Sequence, residues 1–532
     1  MNFALSSLDV GIIVTSIVVV VAVGLWAARN QEKTARGYFL ASGRLPWYII
    51  GAAFVSTSVS SEQIVGTVGA AYRSGMGVAN WEWWLAPTYG LLTVVFIPIW
   101  LRNRITTVPE FLARRFGPLC ADIYSWVMLV AYVFVFMVTV LYSGSLALAE
   151  LTGWNFHAVL WGMVLLIALY TTKGGLSSVI WTDALQCLML VGGGLILYFM
   201  ALHKVPGGWA AMVAANPDRF HLYHPANDPV APFAGIVLGT FGVFVFYSAG
   251  NQVMAQRILA ARSTWDGLMG VLWAGVINLL RPLVTCFLGL IVFHWTNVMH
   301  AAPPLANPDN AFPFALKHLA PSWGLRGIIL AGFLAAVMSA TSALANSTAT
   351  IFSLDVYKRI FHPDADDRRL VRIGRIASPT ALAIAALVAP SVAHLGGVFR
   401  YFQNGVTYLA TPFISVMLLG VLWKRTNYAG ALFGLIGGSA ITLALALGAP
   451  ALGFHLHWLY LAAAAQAITM AGIVAVSLLS PLPAEDRWGP FQWTASALEQ
   501  FDAGVRRPWY QSVLMWWAIY TVVWVCVYWR FW

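Results

Sequence analysis

The chain has 532 residues, of which 60% are hydrophobic and only 9% are charged, whereas about a quarter of the residues in soluble domains are charged. Windows of about twenty apolar residues, the length of helix that crosses a hydrocarbon core of about 30 Å, recur from one end of the chain to the other. This composition excludes an ordinary soluble domain. It predicts an all-α membrane protein with about 14 transmembrane helices.

The first apolar window, residues 9–28, has no basic residue before it and no A-x-A cleavage site after it. We therefore interpret it as a retained span and not as a signal peptide. Hydropathy and helix breakers predict the remaining spans near residues 46–72, 80–101, 121–149, 156–173, 178–203, 233–256, 268–297, 322–355, 372–393, 396–423, 426–448, 456–480 and 511–531.

The distribution of basic residues predicts the orientation of these spans. Most of the 30 Lys and Arg residues fall in the loops of one side, among them Arg102, Arg104, Lys358 and Arg359. The positive-inside rule places this side in the cytoplasm and both termini outside. Contact of the basic loops with an anionic lipid leaflet accounts for the net charge of +10, so no nucleic-acid partner is predicted.

Polar residues interrupt two of the spans. The second span carries the run STSVSSEQ at residues 56–63, and an unsatisfied polar group in hydrocarbon costs several kcal/mol. We expect this helix to be unwound there, with its carbonyl oxygens facing a cavity. The ninth span is rich in hydroxyls and small residues, including Ser339, Thr341 and Ser342. Close helix packing is the alternative explanation for that span.

Isolated polar residues in other spans have a structural and a functional interpretation. Glu82 either snorkels toward the membrane surface or lines a solute path. Asp183 follows a Gly-Gly turn and is a candidate helix cap, and Arg281 precedes Pro282 and is a candidate partner for the backbone that proline frees. Their joint presence, together with Tyr247, predicts a polar interior shared by several helices, as in a transport path.

The two polar-interrupted units suggest an internal repeat. Spans two to six form one unit and spans seven to eleven form another, and each unit begins with a helix that polar residues interrupt. Two consecutive five-helix units insert with opposite topology. The predicted organisation is an extra N-terminal helix and cytoplasmic loop at 1–45, one repeat at 46–203, an inverted repeat at 233–425, and three C-terminal helices at 426–532.

Five segments in consistent order resemble the sodium:solute symporter family, and most closely its bacterial sodium/sugar branch. They are GYFLASGRLPWYIIGAAFVSTSVSSEQIVG, TVPEFLARRF, KGGLSSVIWTDALQ, NSTATIFSLDVYKR and TPFISVMLLGVLWKRTN. The resemblance implies the LeuT-type fold of two inverted five-helix repeats with one extra helix before them and three after. It also implies sodium-coupled symport by alternating access, in a plasma membrane that is the bacterial inner membrane for that branch.

The resemblance implies a sodium site between the second and ninth spans, where a hard cation finds oxygen ligands. The matching positions are Ser56, Val59, Ala336 and Ser339, with the Asp183 carboxylate nearby. Ala340 stands where sodium-binding members commonly have a second serine, so one hydroxyl ligand is missing. Thr341 or water is the expected substitute, and weak or absent sodium coupling is the alternative.

The resemblance also implies a pocket for a hexose or a polyol. Gln63, Glu82 and Gln403 match residues that bind sugar hydroxyls, Trp81 adjoins Glu82, and Tyr247 matches an inner-gate tyrosine. Four positions depart from the branch and change the donors and the shape of the pocket, namely Ser58, Phe244, Ser248 and Asn278.

Other functional classes find less support in the sequence. It contains no HExxH, no G-x-S-x-G and no GxxxxGK[ST] pattern, so neither an enzyme nor an ATP-driven pump is predicted. A sodium-independent or proton-coupled transporter, or a solute sensor, of the same fold remains the alternative function. No sequence feature specifies an oligomeric state.

Overall fold

The structure is a computed structural model, and it describes residues 5–29, 32–320, 324–394, 398–453, 456–497, 505 and 507–532. The side chains of residues 62, 393, 394, 398–401, 403, 404 and 450 lie outside this description. Within the described ranges the chain is helical and forms no β-strand, and one isolated bridge joins Leu45 to Ala261. The all-α class predicted from composition is confirmed.

The long helices of the described chain are labelled in order. The first eight are α1 (Ser7–Arg29), α2 (Trp47–Ser58), α3 (Ser61–Ser74), α4 (Met76–Arg102), α5 (Pro118–Thr152), α6 (Phe156–His203), α7 (Phe233–Gly250) and α8 (Gln252–Leu259). The others are α9 (Thr264–Val298), α10 (Leu325–Phe361), α11 (Asp367–Val392), α12 (Val398–Leu422), α13 (Tyr428–Ala451), α14 (Trp458–Leu479) and α15 (Val513–Phe531).

Twelve helices of the described chain are long and apolar enough to cross a membrane. One of them, α6, has 48 residues, which at 1.5 Å per residue is about 72 Å, more than twice the thickness of the hydrocarbon core. Gly175 interrupts it with φ +48° and ψ −142°, between the spans predicted at 156–173 and 178–203. Helices α2 and α3 together occupy the span predicted at 46–72. The total of 14 spans stays a prediction.

Two helical segments are broken by extended backbone. Helix α2 ends at Ser58, Val59 and Ser60 are extended with φ near −116° and −115°, and α3 begins at Ser61. The unwinding predicted near residues 56–63 is confirmed. In the seventh predicted span, Asn251 is extended with φ −98° and ψ 120°, and it separates α7 from α8.

Helix α10 lies at the centre of the helix packing. It contacts α6 and α1, and α2 packs between α6 and α9. The apolar window of α10 is 89% buried, whereas that of the peripheral α15 is 11% buried. The hydroxyl-rich sequence of α10 therefore lies inside the protein and not against lipid, because lipid-facing surfaces cannot satisfy hydroxyl groups.

We expect Gly175→Ala to lower the free energy of unfolding by about 1–3 kcal/mol, because its backbone conformation is strained for any residue with a Cβ. A Cβ built at Gly175 lies 2.3 Å from the Tyr38 carbonyl oxygen. Gly192 in the same helix has no atom within 4 Å of its built Cβ, so Gly192→Ala is the matched control. The midpoint of thermal unfolding in detergent measures both, and equal midpoints for the two variants would contradict this account.

Candidate functional site

A cavity, called here the solute cavity, opens beside the α2–α3 break. Its lining comes from six helices, α2, α3, α4, α7, α9 and α12. The volume that the centres of water molecules can occupy in it is about 60 Å³. Polar side chains of Ser58, Gln63, Thr67 and Tyr89 share it with the aromatic rings of Trp81, Phe244, Tyr247 and Phe402. Such a mixture of apolar walls and a few polar groups is typical of small-molecule sites.

Five of the nine residues that the sequence assigned to solute binding line this cavity: Ser58, Gln63, Trp81, Phe244 and Tyr247. Three lie outside its lining, Glu82, Ser248 and Asn278, and all three are buried. The side chain of Gln403 lies outside the described residues, although its backbone belongs to α12. The sequence analysis did not assign Thr67, Tyr89 or Phe402.

Aromatic contacts fix the walls of the solute cavity. The Trp81 ring stacks on Trp458 with ring centroids 5.6 Å apart and meets Phe244 edge to face at 6.1 Å. Asn278 donates its Nδ2 hydrogen to the Tyr89 hydroxyl at 2.7 Å. Asn278 therefore positions a residue of the cavity lining from behind.

Glu82 neither snorkels nor lines the solute cavity. Its two carboxylate oxygens each lie 2.8 Å from the Thr285 hydroxyl, and Oε1 lies 3.3 Å from Nε of Arg281. The Arg281 side chain lines the cavity, so the cation of this buried ion pair faces the cavity and the anion stands behind it. The local sequence predicts only a backbone role for Arg281 next to Pro282, because no local pattern reveals a partner on another helix.

A second buried ion pair lies at the expected sodium site. Asp183 on α6 accepts hydrogen bonds from the Ser339 hydroxyl of α10 at 2.6 Å and from the Thr57 hydroxyl of α2 at 3.2 Å. Its Oδ2 also lies 2.6 Å from Nη2 of Arg257 on α8, and both side chains are fully buried. This network brings the α2–α3 break against the hydroxyl-rich α10, as the sequence predicted.

The other positions expected at the sodium site are buried near this network. The Ser56 hydroxyl has no hydrogen-bond partner among the described residues, and Val59 belongs to the extended segment between α2 and α3. Ala336 and Ser339 lie on α10. Ala340, next along that helix, lines a small cavity of about 20 Å³ together with Thr57 and Ser60. That volume accommodates about one water molecule.

Helix α8 is held against the rest of the protein by buried hydrogen bonds. The Gln252 side chain accepts a hydrogen bond from the Val108 amide at 2.8 Å. Gln256 donates to the Phe39 carbonyl at 2.6 Å and to the Thr350 hydroxyl at 2.8 Å. These bonds hold α8 against the segments around Phe39, Val108 and Thr350.

Comparison with known proteins gives consistent matches. A family model described as the sodium:solute symporter family matches residues 38–438. The chain is 32% identical over 465 residues to a sodium/glucose cotransporter of Vibrio parahaemolyticus, covering 83% of this chain and 85% of that protein. It is 31% identical over 543 residues to a human sodium/myo-inositol cotransporter, covering 92% of this chain and 75% of that protein.

Among solved structures, the fold is similar to the substrate-bound, outward-open state of a Na⁺-coupled sialic acid symporter. The TM-score is 0.81 at 21% sequence identity, and the match covers 90% of this chain and 98% of that one. At this level of identity the match establishes the fold, which agrees with the helical architecture expected from the sequence.

We expect Ala340→Ser to lower the sodium concentration that half-maximally stabilises the protein. A hydroxyl placed in the small cavity supplies the missing ligand, and a polar contact of about 1 kcal/mol corresponds to roughly a fivefold change. Thermal unfolding in sodium against choline chloride measures the effect. Ala345→Ser, on the same helix and equally buried, is the control and should leave the sodium dependence unchanged. An unchanged or higher half-maximal concentration for Ala340→Ser contradicts this position of the ion.

Proposed function

The chain belongs to the sodium:solute symporter family and is a sodium-coupled symporter of a small solute, and on this premise we propose that its solute is a hexose or a cyclic polyol. The solute binds in the solute cavity, and sodium binds between the α2–α3 break and α10. The observation that carries the proposal is the placement of five expected solute residues around one cavity at the break.

The lining of the solute cavity suits a polyhydroxylated ring. Gln63, Ser58 and Thr67 supply donors and acceptors for hydroxyl groups, and Trp81 and Tyr247 supply flat surfaces for the apolar faces of a ring. Relatives named as sodium/glucose and sodium/myo-inositol cotransporters support the same class of solute. Glu82 acts on the solute only through Arg281, since its carboxylate lies behind that side chain.

The proposed sodium ligands are oxygen atoms at the α2–α3 break and on the facing helix α10. Sodium is a hard cation and favours carbonyl, hydroxyl and water oxygens. The carbonyls of Ser56, Val59 and Ala336 and the Ser339 hydroxyl are the proposed set, and water in the small cavity beside Ala340 completes it. The Asp183 carboxylate is shared with Arg257, so its attraction for sodium is weaker than that of an unpaired carboxylate.

Coupling follows from the position of the two sites on either side of one broken helix. Sodium bound at the break orders the same backbone segment that carries Ser58 and Gln63 toward the solute. When sodium moves with a neutral solute, one net charge crosses the membrane, so about 100 mV supplies roughly 2.3 kcal/mol, and a tenfold sodium gradient adds about 1.4 kcal/mol. Release on the opposite side requires α8 to leave its hydrogen bonds with Phe39, Thr350 and Val108.

We further propose that both termini lie outside the cytoplasm and that the protein resides in the plasma membrane. The basic loops, with Arg102, Arg104, Lys358 and Arg359, then face the cytoplasm. We also propose the division into 1–45, two inverted repeats at 46–203 and 233–425, and 426–532, which is supported by one broken helix near the start of each repeat.

Sodium-driven uptake into proteoliposomes tests the proposed function. We expect uptake of labelled D-glucose, D-galactose or myo-inositol to fall at least about tenfold when external sodium is replaced by choline, because the solute then lacks the coupled ion. Protein-free liposomes give the background, and a proton gradient without sodium tests the proton-coupled alternative. Uptake that is unchanged in choline contradicts sodium coupling, and solute binding without counterflow indicates a sensor.

A further inference from the structure

The solute cavity contains a buried cation that the proposed hexose or polyol class does not by itself require. Arg281 is 5% exposed and is the one charged residue among the described residues that line the cavity. Arg281 directly precedes Pro282 in the last turn of the regular helical segment Thr264–Val284 of α9.

The guanidinium is only partly paired inside the protein. The Glu82 carboxylate lies 3.3 Å from its Nε, and its fully buried Nη2 has no hydrogen-bond partner among the residues that the structure describes. The single hydrogen of the Thr285 hydroxyl is meanwhile shared by the two oxygens of Glu82, each of which lies 2.8 Å from the hydroxyl oxygen. A buried donor normally has a partner, so the missing acceptor is expected to arrive with the ligand.

The sum of buried charges around the break gives a second reason. Asp183 with Arg257 and Glu82 with Arg281 make two ion pairs whose formal charges cancel. Sodium alone adds one uncompensated positive charge to this low-dielectric region. A solute with one carboxylate restores the balance, whereas a neutral solute does not.

We propose that the solute is a sugar acid, a hexose-like or polyol molecule carrying one carboxylate, and that Arg281 binds this carboxylate through its unpartnered edge. The planar fork of arginine matches a carboxylate with two parallel hydrogen bonds. Gln63, Ser58 and Thr67 then bind the hydroxyl groups. This inference rests on the proposed function and narrows its class of solute.

The test measures sodium-driven uptake by the full-length protein in proteoliposomes. It compares three acids, D-glucuronate, D-galacturonate and D-gluconate, with the neutral D-glucose, D-galactose and myo-inositol. We expect at least one acid to half-saturate uptake at a concentration about tenfold lower than any neutral compound, since a bidentate charged pair exceeds a neutral hydrogen bond. If sodium drives uptake of the neutral compounds and every acid is taken up equally well or less well, this inference is overturned and the proposed function stands. Sodium-driven uptake of none of the six counts against the proposed function itself.

Variants of Arg281 separate a contact with the solute from a structural role. Arg281→Lys keeps the charge and loses the fork, and we expect it to raise the half-saturating concentration of the acid about tenfold with little change for a neutral compound. The double variant Arg281→Met with Glu82→Gln removes both charges without leaving either one unpaired, and it should abolish the preference for acids. Arg114→Lys, at a half-exposed position outside the cavity lining, is the control.

Size-exclusion profiles and thermal unfolding midpoints report whether each variant is folded. If the double variant does not fold, Arg281→Lys alone decides the question, because lysine retains the ion pair with Glu82. An acid preference that survives in every folded Arg281 variant overturns the assignment of Arg281 as the carboxylate-binding residue.

Discussion

Two stretches of extended backbone interrupt helices inside a protein built for lipid, and the rest of the structure depends on satisfying their polar groups. In hydrocarbon such groups must be paired within the protein or face a water-lined cavity. Helix α5 serves both breaks. Its Tyr124 hydroxyl donates to the Gly250 carbonyl at 2.6 Å, and its Tyr132 hydroxyl donates to Asn251 Oδ1 at 2.5 Å. At the other break, the Ser61 hydroxyl lies 2.7 Å from that of Ser143. One helix therefore supports both openings on which ion and solute binding rely.

The two buried ion pairs extend this support to the moving parts. Asp183 and Arg257 join α6 to α8, and Glu82 and Arg281 join α4 to α9, so each pair links one proposed repeat to the other. Separating either pair would leave a buried charge unpaired, which typically costs about 3–5 kcal/mol. Helix movements that accompany transport must therefore carry each pair as a unit or supply a replacement charge. The sodium ion proposed near Asp183 and the carboxylate proposed near Arg281 would be such replacements, and their binding would then enter the same energetic balance as helix movement.

The sequence predicted which segments lie in the membrane and where polar residues interrupt them, but it did not predict which side chains contact one another. The polar run at residues 56–63 predicted the break between Ser58 and Ser61, because polar groups in a membrane-spanning segment require a cavity. The orientation of Glu82 was not predictable, because its hydrogen-bonding partner Thr285 lies 203 residues away. Hydropathy gave residues 156–173 and 178–203 as two spans, and the turn at Gly175 shows how one long helix contains both. The sequence did not predict Thr67 and Tyr89 as cavity residues, because a single polar residue in a helix is as typical of helix packing as of a binding site.

Ala340 illustrates which properties of a symporter a single ligand can change. Removing one of several oxygen ligands weakens sodium binding by about 1 kcal/mol, which shifts the sodium concentration at which the protein works. It does not change the maximum solute gradient, because that limit depends on the number of ions moved and on their electrochemical gradient, and affinity cancels over a complete cycle. The water-sized cavity beside Ala340 is therefore compatible with full coupling at higher sodium concentrations. In the proposed sodium site, the broken backbone, Ser339 and Asp183 keep the coupling geometry, and the residue at position 340 sets the sodium concentration at which this geometry is used.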